Sequence, residues 1–252
     1  MELTNRRAFV TGGSGDIGGA ICDRLAAAGA DVAISYVGNR EEAEATAQRV
    51  TDAGRDPIIV QLDQRDEASI EAAAQQVRDW GGCDILVNNA AWNIGIPFPD
   101  LGTLDAATWD RVQETNVRWP YLLARALQPE LSASGHGNIV NIASVGGLYP
   151  GSSSIAYSCS KAALIHLTHC LAVAMAPEIA VNCVAPGLVE GTRMANRLPD
   201  QVADGARRMA VLGRVGSAVD IANATVMLCQ ADTITGQTLV VDGGSPTAMN
   251  FG

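Results

Sequence analysis

The chain has 252 residues, 48% of them hydrophobic and 17% charged, and its formal net charge is −10. This length and composition are typical of one large globular domain and exclude a disordered chain. The negative charge argues against nucleic acid or an anionic membrane surface as the main partner, because both favour basic surfaces. The first residues are too few and too polar for a signal peptide, and no apolar stretch could span a membrane, so we expect a cytoplasmic protein.

The first predicted elements have the order of a nucleotide-binding unit. A short apolar strand over residues 7–11 leads into a glycine-rich loop, Gly12 to Gly18, and then into an amphipathic helix that ends near Ala28. Glycines let the backbone approach a pyrophosphate, and the start of a helix offers free N–H groups and a positive dipole end. Because a second strand follows at 31–36, the pattern predicts a dinucleotide site.

Strands and helices alternate through the rest of the chain. Helices are predicted over 40–53, 66–80, 104–116 and onward to 131, 154–176 and 217–229, and strands over 57–61, 85–88, 138–143, 181–185 and 237–241. The strands are continuous Val/Ile/Leu runs, as in a parallel sheet covered on both faces. We predict a single α/β domain over residues 1–252, with a doubly wound parallel sheet of about seven strands. The segment 188–212 is the least regular and is expected to form a substrate lid.

Three residues in the middle of the chain suggest an acid catalyst. Tyr157 and Lys161 stand four residues apart in a predicted helix, so their side chains leave the same face one turn apart. A neighbouring ammonium favours the phenolate and would lower the phenol pKa from its ordinary value of about 10. Ser144 follows a buried strand and could hold a carbonyl oxygen against this acid, as a ketone requires while it receives a hydride.

Several short motifs follow one another in a fixed order: Gly12 to Gly18, Asn88-Asn89-Ala90-Ala91, Asn116, Ser144, Tyr157, Lys161 and Pro186-Gly187. The set resembles the classical short-chain dehydrogenase/reductase family, in its ketoacyl reductase-like or ketone reductase-like branch. The resemblance covers essentially the whole chain and implies a Rossmann fold. It also implies an NAD(P)-dependent oxidoreductase that transfers a hydride between the nicotinamide and a small-molecule carbonyl or secondary alcohol.

The resemblance implies roles for individual residues near the reaction. Tyr157 would be the general acid in reduction and the base in oxidation, and Ser144 would bind the substrate oxygen. Lys161 would bind the nicotinamide ribose and lower the pKa of Tyr157. Asn116 would anchor a water in the proton relay, and Asn89 would brace the middle of the sheet beside the cofactor.

The resemblance further implies the residues that contact the dinucleotide. They are Gly12, Ser14, Gly15, Asp16, Ile17, Tyr36, Asn39, Arg40, Asp63, Gln64, Asn89, Ala90, Ala91, Tyr157, Lys161, Pro186, Gly187, Val189 and Thr192. Asp16 stands where the family usually has a glycine, and we expect its carboxylate to point away from the pyrophosphate. Ala91 replaces another usual glycine and adds only a methyl group.

The end of the second strand bears on the choice between the two dinucleotides. Enzymes of this family that select NAD usually place an acidic residue there for the ribose hydroxyls, whereas a 2′-phosphate favours an arginine. Residues 36–39 contain no carboxylate and Arg40 follows, so NADP(H) is favoured. Glu41 and Glu42 come directly after Arg40, and NAD(H) is the alternative.

The expected substrate pocket is mostly apolar. Its predicted residues are Trp92, Ile94, Ser144, Tyr149, Leu188 and Met194. They favour a free ketone with hydrophobic substituents. A polyol or sugar alcohol dehydrogenase is one alternative. A 3-ketoacyl thioester reductase is another, although residues 128–136 contain no Lys or Arg to dock an acidic carrier protein. A non-catalytic nucleotide-binding regulator is least favoured, because such proteins typically lose the tyrosine or the lysine.

We expect a homotetramer, with a dimer as the alternative, formed through the helices at 107–131 and 154–176. No metal site is expected, because His166 and His169 have no third ligand near them in sequence. The six cysteines form no Cys-x-x-Cys pair and are expected to be mostly buried free thiols.

Overall fold

The computed structural model describes residues 2–245 and contains one seven-stranded parallel sheet. Its strands are β1 (Arg7–Val10), β2 (Asp31–Tyr36), β3 (Pro57–Gln61), β4 (Ile85–Asn88), β5 (Gly137–Ile142), β6 (Ile179–Pro186) and, after two short strands, β9 (Thr238–Val241). The short strands β7 (Val189–Glu190) and β8 (Gly216–Ser217) pair with each other. The spatial order of the large sheet is β3-β2-β1-β4-β5-β6-β9, so the strand order reverses beside β1. This confirms the predicted doubly wound sheet.

Helices cover both faces of the sheet. They are α1 (Asp16–Ala27), α2 (Arg40–Asp52), α3 (Glu67–Trp80), α4 (Ala106–Gln113), α5 (Trp119–Ala133), α6 (Ile155–Ala174), α7 (Asp200–Met209) and α8 (Ala218–Gln230). One hydrophobic core joins α1, α2 and α8 to the sheet, and a second joins α3, α5 and α6 to the opposite face. The strands therefore have apolar side chains on both sides, which explains their continuous hydrophobic runs.

Polar side chains fix the start of most of the helices. A side-chain oxygen of Asn39, Asp66, Asp105, Ser154 or Ser217 accepts a backbone N–H in the first turn of α2, α3, α4, α6 or α8, respectively. Helix α1 begins after Gly15 and has no such side-chain cap. Its first N–H groups therefore lack the usual side-chain acceptor at the carboxyl end of β1.

Two features differ from the predicted elements. The helical stretch predicted from 104 to 131 begins at Ala106 and is interrupted by a π-helical turn over Glu114–Arg118, between α4 and α5. The segment 188–212 was expected to be the least regular part, but it contains β7 and the ten-residue helix α7. The prediction of irregular chain is therefore wrong for residues 200–209. Helical spacing is present there at Val202, Ala206 and Met209, although α7 has no buried residue.

No helix within residues 2–245 is long and apolar enough to span a membrane.

Candidate active site

Ser144 and Tyr157 meet at the carboxyl end of β5. Ser144 has an extended backbone, its Oγ accepts the N–H of Gly146 at 3.1 Å, and its hydroxyl lies close enough to the Tyr157 phenol to lower the pKa of that phenol. Ser154 caps α6 by accepting the N–H of Tyr157 at 3.2 Å, which fixes the first turn of the helix. The two hydroxyl groups that could hold one carbonyl oxygen are thus neighbours.

Lys161 lies behind this pair and is almost completely buried. Its Nζ donates to the backbone oxygen of Ile142 at 2.8 Å and lies 5.6 Å from the centre of the Tyr157 ring. Burial lowers the pKa of Lys161 to about 8, and the neighbouring Cys183 thiol opposes this. Burial also raises the pKa of Tyr157, against the hydrogen bond from Ser144. Lys161 was expected to lower the pKa of Tyr157, but desolvation of the buried phenol is the largest cause and raises that pKa.

Asn116 sits in the π-helical turn and connects two walls of the site. Its Oδ1 accepts the N–H of Trp92 at 2.8 Å, and its Nδ2 donates to the oxygen of Trp92 at 2.9 Å and to Ser160 Oγ at 3.0 Å. Ser160 in turn donates to the backbone oxygen of Tyr157 at 2.7 Å. The side-chain amide of Asn116 is therefore committed to protein partners. Turns of this kind are frequent at functional sites because they re-aim backbone groups.

The glycine-rich loop packs tightly against the start of α1. Gly12 has a φ of +63°, and a Cβ on Gly18 would lie 2.1 Å from the oxygen of Gly12. No larger residue fits at either position without moving the loop. Because α1 also lacks a side-chain cap, the loop and the helix start offer N–H donors to an anion. These features fit the pyrophosphate of a dinucleotide.

Asn89, directly after β4, braces the same loop. Its Nδ2 donates to the backbone oxygens of Thr11 and Gly12 at 2.9 and 3.3 Å. The Thr11 hydroxyl accepts the N–H groups of Asn89 and Ala90, while Ser35 accepts the N–H of Gly12. The sequence analysis missed Thr11 and Ser35, although their positions at the ends of β1 and β2 were a usable signal.

Arg40 does not face an open phosphate site. Its Nε is bound to Glu44 Oε1 at 2.8 Å, and Glu44, followed by the nearby Tyr36 hydroxyl, raises the pKa of Arg40. Both charged side chains of the Arg40–Glu44 pair are more than half exposed, so the pair is weak. Asn39 is exposed and caps α2 by accepting the N–H of Glu42 at 3.2 Å.

Two of the predicted dinucleotide contacts, Asp63 and Gln64, lie just beyond β3. Asp63 is bound to Arg65 at 2.9 Å, and hydrogen bonds from Arg65 hold the pKa of that carboxyl below its usual range. Gln64 is buried, and its Nε2 has no hydrogen-bond partner within residues 2–245. A buried amide donor of this kind fits a position that a ligand acceptor completes.

The predicted dinucleotide contacts at the end of β6 and after it differ in which of their atoms a ligand could reach. Pro186 ends β6, and a Cβ on Gly187 would lie 2.7 Å from Asp242 Cβ. The side chain of Val189 is buried in a hydrophobic core, so only its backbone could contact a ligand. Thr192 is buried too, and its hydroxyl donates to the oxygen of Val189 at 2.9 Å.

The predicted substrate residues differ in their exposure. Ile94, Tyr149 and Met194 are between 36% and 47% exposed, whereas Trp92 and Leu188 are partly buried. The guanidinium of Arg111 lies 4.1 Å from the centre of the Trp92 ring. Ser153 contacts the segment of Ile94, because its Oγ donates to the oxygen of Ile94 and its backbone oxygen accepts the N–H of Ile96.

An arginine that the sequence analysis did not consider lies at the edge of the site. Asp16 Oδ2 accepts the backbone N–H of Arg193 at 2.7 Å, and Arg193 Nη1 binds the carboxylate of Glu42 at 2.8 Å. The Asp16 carboxylate thus has protein partners in the segment after β7. In the sequence, Arg193 is marked as a residue of the site by its position next to Thr192, a predicted dinucleotide contact.

Within the described residues, no group of three or more potential ligands could hold a metal ion. The rings of His166 and His169 lie 6.0 Å apart in an edge-on arrangement. All six cysteines are free, and Cys159 and Cys170 are exposed rather than buried.

Known proteins with this arrangement are numerous. The family model described as enoyl-(acyl carrier protein) reductase matches residues 13–245. The 3-oxoacyl-(acyl-carrier-protein) reductase FabG of Staphylococcus aureus is 34% identical over 97% of this chain and 99% of that protein. Human dehydrogenase/reductase SDR family member 4 is 34% identical over 98% of this chain and 90% of that protein.

Solved structures agree with the sequence relatives. A 7α-hydroxysteroid dehydrogenase in complex with NADH and 7-oxo glycochenodeoxycholic acid superposes with a TM-score of 0.91. It is 30% identical over 99% of this chain and 97% of that chain. Likeness over whole chains at this identity carries both fold and family. The chain belongs to the short-chain dehydrogenase/reductase family and is an NAD(P)-dependent oxidoreductase that acts on a carbonyl or secondary alcohol group.

Proposed function

We propose that the protein reduces a free, apolar small-molecule ketone with NADPH, using Tyr157 as the general acid. The observation that carries this proposal is the Ser144 hydroxyl beside the Tyr157 phenol, with Lys161 buried behind them and 5.6 Å from the centre of the Tyr157 ring. Both hydroxyl groups can donate to one carbonyl oxygen, which is the atom that gains negative charge during reduction. A buried phenol with a raised pKa is protonated at neutral pH, as an acid must be.

The residues divide the chemistry between them. Bound NADPH supplies the hydride. Tyr157 gives its proton to the substrate oxygen while Ser144 holds that oxygen, and the ammonium of Lys161 favours the phenolate that remains. The side-chain amide of Asn116 is already hydrogen-bonded to Trp92 and Ser160. The group of Asn116 that could hold a relay water is therefore its backbone oxygen, in the π-helical turn. In the oxidation of an alcohol the same groups act in reverse.

NADP(H) is the proposed cofactor, with NAD(H) as the alternative. The end of β2 and the following residues Tyr36 to Asn39 carry no carboxylate, and Arg40 lies next in the chain. For Arg40 to bind a 2′-phosphate it must exchange Glu44 for the phosphate, and the exposure of that pair makes the exchange inexpensive. The NADH in the related 7α-hydroxysteroid dehydrogenase is the reason to retain the alternative.

The region around the site supports an apolar substrate. Met194, Leu198 and Val202 are exposed apolar side chains on the segment 188–212, which we assign as the lid over the pocket. Arg207 of α7 forms an ion pair with Glu190 of β7, and this contact links the polar side of the helix to the short strand. The related steroid dehydrogenase binds a large, mostly hydrocarbon ketone.

A screen of free ketones and alcohols with both dinucleotides tests this function. NADPH consumption with an apolar ketone, monitored at the nicotinamide absorbance band, is the expected result. Preferential oxidation of polyols or sugars would favour the alcohol dehydrogenase alternative. The screen should include ketones of increasing hydrocarbon area, because kcat/KM is expected to rise with the apolar surface that the pocket buries.

A 3-ketoacyl thioester is the second candidate substrate. The relationship to a 3-oxoacyl-(acyl-carrier-protein) reductase favours it. Against it, the end of α5 and the turn that follows carry no Lys or Arg from 128 to 136, and a carrier protein is acidic. A higher kcat/KM for a carrier-bound ketoacyl thioester than for any free ketone would establish this candidate instead.

The proposed assembly is a cytoplasmic homotetramer, with a dimer as the alternative. The outer face of α6 presents Val173 at 82% exposure, and α5 presents Tyr121. Both helices thus expose apolar side chains that a second copy could cover. Light scattering that gives a monomer at micromolar concentration would contradict this assignment.

A further inference from the structure

One side chain crosses the opening of the dinucleotide-binding crevice. Arg193 lies in the segment after β7, and its Nη1 binds both carboxylate oxygens of Glu42 at 2.8 and 2.9 Å, in the first turn of α2. Its Nε lies 3.4 Å from Asp16 Oδ1, in the first turn of α1. A Cβ on Gly15 would lie 3.9 Å from Arg193 Nη2, so the guanidinium passes over the glycine-rich loop.

Asp16 also holds the backbone of this segment. Its Oδ2 accepts the N–H of Arg193 at 2.7 Å, a short hydrogen bond to a charged acceptor. A glycine at position 16 could not make this bond, so the contact depends on the residue by which this chain departs from the usual motif. On the other side of the segment, Asn93 Nδ2 lies 3.3 Å from the sulfur of Met194. Residues 192–194 are therefore attached on both sides of the crevice.

The attached segment spans the place where a dinucleotide binds. Asp16 follows β1, Glu42 follows β2 and Asn93 follows β4, and ligands of open parallel sheets bind outside the carboxyl ends of such strands. A ligand seated on the glycine-rich loop would have to pass the Arg193 side chain to leave. The groove beneath the arginine, between α1 and α2, has a volume of about 360 Å³.

We propose that Asp16 and Arg193 form a clasp that holds residues 192–194 over the bound dinucleotide and slows its release. Both are positioning residues, because they act on the segment that carries Thr192. Single exposed ion pairs are weak, but this clasp joins a backbone hydrogen bond to two ion pairs on one side chain. The inference rests on the dinucleotide dependence of the family and is independent of the ketone proposed as substrate.

The test is the rate of dinucleotide release, measured by stopped-flow displacement from NADPH or NADH complexes without substrate. We expect Asp16→Ala and Arg193→Gln each to raise this rate by about three- to tenfold, as loss of a few weak polar contacts does. In the double variant the two increases should be clearly less than multiplicative, because both substitutions open one clasp. Added salt should accelerate release from the unaltered protein more than from Asp16→Ala.

Asp23→Ala is the matched control. Asp23 lies on the same helix, is also exposed and pairs with an arginine, Arg49 at 2.9 Å, but does not contact the segment. Its release rate should stay within about twofold of the unaltered rate. Thermal unfolding of each variant separates loss of the clasp from loss of the fold.

Other results would overturn the clasp. An unchanged release rate in Asp16→Ala would mean that the carboxylate does not hold the segment over the dinucleotide. Tighter binding of both dinucleotides in this variant would mean that the carboxylate repels the phosphates. Weaker binding in Arg193→Gln together with tighter binding in Asp16→Ala would mean that Arg193 binds the cofactor phosphates directly. Failure of the ketone screen leaves this measurement intact, whereas failure of both dinucleotides to bind would contradict the clasp as well.

Discussion

Lys161 Nζ donates a hydrogen bond of 2.8 Å to the backbone oxygen of Ile142, the last residue of β5. This bond fixes the lysine to the strand that leads, two residues later, into Ser144. The ammonium is thereby held 5.6 Å from the centre of the Tyr157 ring, and Lys161 as a whole is only 2% exposed. Strand β5 therefore fixes the positions of Ser144 and the Lys161 ammonium, and both lie next to the Tyr157 phenol.

Burial of the Lys161 ammonium should make stability depend on pH in a defined direction. Burial lowers the pKa of Lys161 to about 8, so above this pH the folded protein loses a proton that the unfolded chain keeps until its ordinary pKa of about 10.4. The free energy of unfolding should therefore rise with pH in this window. Relative to Lys161→Met, the unaltered protein should gain about 2 kcal/mol between pH 7.5 and 9.5 in urea unfolding.

Groups that titrate in the same window away from Lys161 are present in both proteins and largely cancel in that difference, whereas Cys183 does not, because Lys161 lowers the pKa of its thiol. Parallel pH curves for the two proteins would show that Lys161 keeps its proton at an ordinary pKa.

Removal of the Ser144 hydroxyl should move the pH dependence of alcohol oxidation to higher pH. The hydrogen bond from Ser144 lowers the pKa of Tyr157, so Ser144→Ala leaves burial unopposed and raises that pKa further. Oxidation needs the deprotonated phenol, and its rising limb in a kcat/KM profile moves with it. Turnover should also fall by about 10²- to 10³-fold, the loss typical of one oxyanion donor. Ser144→Thr, which keeps a hydroxyl, should restore part of both effects, and a limb that stays in place would contradict the hydrogen-bond role.

Asn116 should contribute to stability through its three side-chain hydrogen bonds to Trp92 and Ser160. Asn116→Ala leaves partly buried backbone groups of Trp92 and the buried Ser160 hydroxyl without this partner and should lower the free energy of unfolding by about 1–3 kcal/mol. The substitution of an exposed asparagine, Asn196→Ala, should cost less than about 0.5 kcal/mol in the same urea titration. Equal losses for the two variants would mean that the π-helical turn does not depend on Asn116.

The Arg40–Glu44 pair should control the preference for NADPH. Glu44→Gln frees the guanidinium for a 2′-phosphate and should tighten NADPH binding while leaving NADH binding unchanged. Arg40→Gln should weaken NADPH binding by about tenfold, as loss of a charge-assisted hydrogen bond does. Glu41→Gln removes an exposed carboxylate from the same helical turn and is the control in fluorescence titrations. A preference for NADH that none of these variants alters would identify NAD(H) as the cofactor.

Much of this architecture can be predicted from local sequence. Continuous apolar runs gave strands 57–61 and 85–88 with the bounds that β3 and β4 have, because strands buried on both faces contain little else. The spacing of Tyr157 and Lys161 places both side chains on one face of any helix, and α6 confirms that helix. The order of the motifs was enough to identify the family.

The remaining features depend on contacts between distant parts of the chain. Arg193 and Asp16 are 177 positions apart, so no local pattern links them. Arg40 satisfies the pattern of a phosphate ligand, but its partner in the structure is the neighbouring Glu44, and periodicity cannot rank the two. Asn116 lies in the π-helical turn, and its amide binds Trp92 and Ser160, two contacts that the helical spacing of 104–131 does not reveal.

Tyr157→Phe tests the central claim most directly, because it removes one oxygen and leaves the ring in place. NADPH consumption with an apolar ketone and the dissociation constant of NADPH should be measured for the same protein samples. We predict that turnover falls by at least about 10²- to 10⁴-fold while the dissociation constant changes by less than about threefold. Turnover within tenfold of the unaltered protein would contradict the assignment of Tyr157 as the proton donor.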